Sequence, residues 1–78
     1  MNSSNYQDRF VAEYMQLWYR MEKLRAMLDK YRANELNFTP KCSYDLLHEQ
    51  YVHMKGYLVS LTTRATVEGI ELPKFSLD

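Results

Sequence analysis

The chain is short of most features that would announce a chemistry. Of its 78 residues one is a cysteine, Cys42, so no disulfide within the chain can staple it. Two glycines, Gly56 and Gly69, and two prolines, Pro40 and Pro73, leave no glycine-rich phosphate loop and few breaks for regular structure. No apolar run approaches the ~20 residues of a membrane-spanning helix, so no membrane partner is expected. Ten basic and ten acidic residues cancel, which argues against the net basic field of a general nucleic-acid binder. His48 and His53 resemble a zinc-protease box but stand five apart, about 140° around a helix, where the motif needs i, i+4 on one face. Glu49 and His53 do share a face, but two ligands make no metal site. With no Ser/His/Asp set either, the expectation is a protein that is not an enzyme and uses no cofactor or metal. A lone cysteine without a secretory h-region points to a reducing, cytoplasmic setting.

What the chain does have is a helical rhythm. Phe10, Tyr14, Leu17, Met21, Leu24, Leu28 and Tyr31 are spaced 4, 3, 4, 3, 4, 3, the seam of a helix lying along another helix. Ser4 followed by Gln7 fits a capping box, and Asn34 tolerates the left-handed conformation that ends a helix. The first helix is therefore predicted over about 5–33. Ser43 is a good N-cap for a second helix over about 43–68, whose seam is Tyr44, Leu47, Tyr51, Met54, Leu58, Leu61 and Ala65. Gly69 and Ile70 read as a Schellman stop, followed by a short extended tail in which Leu72, Phe75 and Leu77 are free to pack. Leu36 and Phe38, in the link, suggest a lid over the hairpin tip. The fold class is all-α: an antiparallel two-helix hairpin forming one domain over 1–78, with paired residues summing to roughly 78 on standard hairpin geometry.

One hairpin covers only a stripe of each helix, and a core this small rarely holds alone. The outward side of the first helix is polar, with Gln16, Glu22, Lys23, Asp29 and Lys30. The second helix instead turns out Leu46, Val52, Gly56, Val59, Ser60, Thr63 and Val67. This predicts a homo-oligomer in which the second helix is central, most simply a dimer making a four-helix bundle.

The flanks of the seam carry the candidate ligand residues. On one flank Arg20 is expected near Tyr57, Glu13 near Arg64, and Arg9 near Glu68. On the other, Arg25, Arg32, Lys55 and His48 gather beside Trp18, the only tryptophan. Trp18, Arg20, Arg25, His48, Lys55, Tyr57 and Arg64 are thus candidates to hold a phosphate between arginines with a ring stacked on the indole. The plainer alternative is that Trp18 packs and the cations reach out to water.

The residues Asp8-Arg9, Glu13-Tyr14, Leu17, Lys23-Leu24 and Met27-Leu28 form a recognisable pattern. It continues through Phe38, Pro40, Cys42, Leu46-Leu47 and Gln50 to Tyr57-Leu58, Leu61, Arg64-Ala65 and Glu68-Gly69-Ile70. In this the chain resembles the small helical proteins of tailed phages and prophages, among them a family related to a crAss-like phage protein. The resemblance implies a phage origin and a hairpin fold. It brings no catalytic or binding residues with it, and Trp18 is not part of the pattern. The expected function is a stoichiometric anti-defence protein in the cytoplasm of an infected bacterium, sequestering a nucleotide-derived immune signal at subunit interfaces. The alternative is a helical interaction module that blocks or adapts a host defence protein without any small ligand. Itself, a nucleotide-type molecule or such a host protein are the partners this reading allows.

Overall fold

Ser43 sets the start of the second helix. It lies in the extended region at φ −68 and ψ 159, and its side chain accepts the backbone N–H of Leu46 at 3.2 Å. That satisfies one of the donors a helix start leaves open, and Asp45 adds charge that suits the positive end of the helix dipole. The computed structural model describes residues 3–74. Among these it holds two helices and no strand: α1 (Ser3–Arg32) and α2 (Tyr44–Glu68), packed on one another as an all-α hairpin. Because α1 begins at Ser3, Ser4 stands in its first turn and not at its cap.

Both helices stop by the same device. Asn34 takes a left-handed φ of 59, its N–H donates to the Tyr31 carbonyl at 3.1 Å, and the Glu35 N–H reaches back to Lys30 at 2.8 Å. Gly69 does the same at φ 71, with Ile70 donating to the Ala65 carbonyl at 2.9 Å. Each is the Schellman pattern that satisfies the last carbonyls of a helix. The α2 stop has a further effect. It aims Ile70 into the core, where the side chain is buried, and Leu72 packs against the same cluster. Phe75 and Leu77, the other apolar tail residues, lie outside the described residues.

The core occupies the open end of the hairpin. Phe10, Tyr14, Leu17 and Met21 of α1 meet Leu58, Leu61 and Ala65 of α2, and Met21 and Leu61 are fully enclosed. Toward the link the seam loosens: Leu28 stays buried, while Leu24, Tyr31, Tyr44, Leu47, Tyr51 and Met54 are only half-buried. The link itself does not close that end. Phe38 is 58% exposed, and together with the half-buried Leu36 it lines a trough against Lys23, Met27 and Lys30 on the side of α1. The expected lid over the tip is therefore absent.

The register differs from the expected one by nearly a helical turn. Tyr31 packs edge-on to Tyr44 at 5.7 Å and donates to the Cys42 carbonyl at 3.4 Å, which levels the two helices at the tip. At the far end Arg64 stands over the Phe10 ring, and Tyr6 meets Glu68. Tyr31 with Tyr44, Phe10 with Arg64 and Tyr6 with Glu68 sum to 74 or 75, against the roughly 78 of the assumed register. Tyr6 thus takes the place beside Glu68 that Arg9 was expected to hold, and Arg64 turns to Tyr6 and Glu68, with no salt bridge to Glu13 among the described residues.

The far side of α2 faces solvent. Val52, Val59 and Val67 are exposed, Val67 by 80%, and a Cβ added at Gly56 would meet nothing within 4 Å. A glycine inside a helix costs about 1 kcal/mol against alanine, and nothing in this chain requires that one.

Candidate ligand groove beside the seam

Helical spacing lines up two short rows of side chains along one flank of the hairpin. Glu13, Gln16 and Arg20 come from α1; Gln50, Met54 and Tyr57 come from α2 at i, i+4 and i+7. Between the rows lies an open groove of about 530 Å³ floored by Leu17, itself part of the core. Arg20 and Tyr57, expected to be neighbours, line this groove together. Arg20 makes no salt bridge among the described residues, so its five guanidinium donors are open to a ligand. Gln16 and Gln50 add amide donors and acceptors, and Glu13 contributes the groove's acid. Gln16, expected on the outward side of the first helix, lines the groove instead, and neither glutamine stands out in the sequence because an uncharged amide gives no signal by itself. Their spacing from Arg20 and Tyr57, four and seven residues, was the available clue.

A second groove of about 560 Å³ lies across the ridge made by Gln50, Met54 and Tyr57. It is bounded by Cys42, Leu46, Leu47, Glu49 and His53. It opens onto the exposed side of α2, and Cys42 at its end is a free, exposed thiol. Among the described residues no group of three or more His, Cys, Asp or Glu is placed to hold a metal ion. Among the described residues no helix is long and apolar enough to cross a membrane.

The other candidate residues are held elsewhere. Trp18 is 8% exposed and sits edge-on to Tyr14 at 6.4 Å, so in this chain the indole is a core residue and not an open stacking platform. Arg25 donates to both Glu22 oxygens at 2.9 and 3.2 Å and to Asp29 at 3.3 Å. These hydrogen bonds, chiefly those to Glu22, raise the Arg25 pKa, and the same pairing lowers that of Glu22. The basic strip expected beside Trp18 is therefore partly neutralised by acids on its own helix. His48 stacks on Tyr44 at 5.8 Å and 17°, and Lys55 is exposed. Arg64 donates to the Tyr6 hydroxyl at 3.1 Å and pairs with Glu68 at 3.5 Å; the Tyr6 hydrogen bond is the main cause of its raised pKa. The seven candidates are thus dispersed, and the groove unites only Arg20 and Tyr57.

Residues 4–67 match the family model Sequestin. The chain belongs to the Sequestin family. No curated protein and no solved structure matches it. The Sequestin match runs from the first turn of α1 to the last turn of α2, so it takes in both walls of each groove along the seam. The family name speaks of sequestering, and a binding role fits it better than turnover does.

Proposed function

We propose that this Sequestin-family protein is a stoichiometric sequestering protein that holds a nucleotide-derived signal in grooves at subunit contacts. The observation that carries the reading is the groove between Arg20 and Tyr57. It offers a guanidinium without a salt bridge, a phenol, two amides and an apolar floor. A phosphate suits the first and a base or sugar the rest. The family match supports retention of a ligand over its conversion. The resemblance to phage proteins supports a phage origin and an anti-defence role in the cytoplasm of an infected bacterium. The exposed valines of α2 support self-association, because an open groove becomes a pocket only when something covers it.

The test is a thermal-shift panel of cyclic dinucleotides and ADP-ribose derivatives. A ligand present at 100 times its Kd stabilises by about 2.7 kcal/mol, well within detection. A shift with a panel member that Arg20→Ala abolishes is the expected result. No shift with any member favours the second reading, in which the chain is a helical module that blocks or adapts a host protein. That reading is favoured by the same exposed stripe of Leu46, Val52, Val59 and Val67, if a foreign partner rather than a second copy covers it.

A further inference from the structure

The outer stripe of α2 is more apolar than its composition suggests. At 100° per residue, Val52, Gly56, Val59, Thr63 and Val67 fall within about 80° of arc, opposite the buried Leu61 and Ala65. Thr63 returns its hydroxyl to the Val59 carbonyl at 2.9 Å, and Thr62 and Thr66 bond their own i−4 carbonyls at 2.8 and 3.1 Å. Thr63 therefore commits its hydroxyl to its own helix and does not offer it to solvent. Gly56 lies at the middle of the stripe with open space where a side chain would stand. The chain also exposes 6150 Å², against about 5,000 Å² for a compact folded monomer of its mass. The surplus is of the order of the ~800 Å² that one partner gives to a stable interface.

We propose that two copies pair through α2 in antiparallel fashion, crossing at Gly56, and that each copy completes the other's second groove. This rests on the self-association named above and adds its geometry. Charge decides the direction. The N-terminal half of the outer side carries Asp45 and Glu49, whereas Thr63 and Val67 leave the C-terminal half neutral. A parallel pair sets each acid against its own copy and aligns the two helix dipoles. An antiparallel pair sets the acids against the neutral half and opposes the dipoles. With the crossing at Gly56, Val52 lies beside the partner's Val59. Glu49 and Leu46 lie beside the partner's Thr63, at the rim of the groove that holds His53 and Tyr57. The groove gains a wall that one chain does not supply.

Cysteine cross-linking in a Cys42→Ser background reads this directly. Val52→Cys and Val59→Cys are at exposed positions, so both variants should keep the helical circular dichroism of the parent. In the antiparallel pair each engineered cysteine stands about 9–12 Å along the axis from its own copy, beyond disulfide reach. The expected result is a covalent dimer on oxidising the mixture and none from either variant alone. Self-cross-linking of Val52→Cys alone indicates a parallel pair and overturns the proposal. So does a light-scattering mass of two chains with no cross-link in the mixture, which leaves self-association standing. A mass of one chain overturns both. As a second readout, Gly56→Leu should halve the mass while helix content holds; an unchanged mass overturns the crossing point.

Discussion

Tyr6 donates its hydroxyl hydrogen to Glu68 Oε1 at 2.6 Å and accepts from Arg64 Nη2 at 3.1 Å, so one phenol ties the start of α1 to the end of α2. The tie spans 62 residues of sequence and sits at the open end of the hairpin, where no loop holds the helices together. Tyr6→Phe keeps the ring against Phe10 and removes only the hydroxyl. The expected loss is about 0.5–1.5 kcal/mol, in line with a typical net hydrogen bond. Thermal unfolding followed at the helix band checks it. If Tyr6→Phe and Glu68→Gln lower Tm by fully additive amounts, the two groups do not act together.

Leu61, like Met21, is completely enclosed between the helices. Leu61→Ala removes that contact and leaves a void, a change that costs about 2–5 kcal/mol. A domain of this size has only a few kcal/mol in hand. The expected outcome is loss of a cooperative transition in chemical denaturation. A sharp transition with an unchanged midpoint would mean the core lies elsewhere.

The two α2 termini can be tested separately. Ser43→Ala removes the acceptor of the Leu46 N–H and should cost about 1 kcal/mol. Gly69→Ala places a Cβ at φ 71, a conformation that costs an L-residue about 1–2 kcal/mol. Backbone amide exchange should quicken in the first turn for the one and in the last turn for the other. Equal effects along the whole helix would argue that caps do not limit its fraying.

Glu22 has its pKa lowered by the hydrogen bond from Arg25. A carboxyl depressed in the folded state adds stability above its unfolded pKa, and that contribution disappears as pH falls through the folded value. The Tm gap between the parent and Glu22→Gln should therefore be open at neutral pH and close as acidification carries the depressed carboxyl through its titration. It should be small, because the pair is exposed and salt screens it. A gap that widens in acid has the wrong sign for this pairing.

Val59 is 62% exposed in the single chain, so Val59→Glu should leave the fold intact by circular dichroism. If copies meet through α2, the charge should reduce the solution mass to one chain. An unchanged mass would reject that face as a contact.

The architecture was legible because alternating 3 and 4 spacings need no context: each seam residue marks its own face of a helix. The stops were legible for the same local reason, since Asn34 and Gly69 carry their conformational freedom with them. Register was less so. It depends on how Tyr31 settles against Tyr44 and Cys42, a contact between helices that spacing within one helix does not encode. Trp18 lies beside the seam and not on it, so its spacing left open whether the indole packed or stood free; its size carries it into the core. The groove was half legible. Arg20 and Tyr57 stood out by type, while Gln16 and Gln50 become meaningful only once two helices set them opposite one another.

The burial of Trp18 against Tyr14 has a practical consequence. As the chain's single indole, it makes intrinsic fluorescence a report on core integrity, with a blue-shifted emission that moves red on denaturation. A ligand in the Arg20 groove would not touch that chromophore. Spectral silence on titration would then be uninformative, and occupancy has to be followed by calorimetry or by a label placed on Cys42.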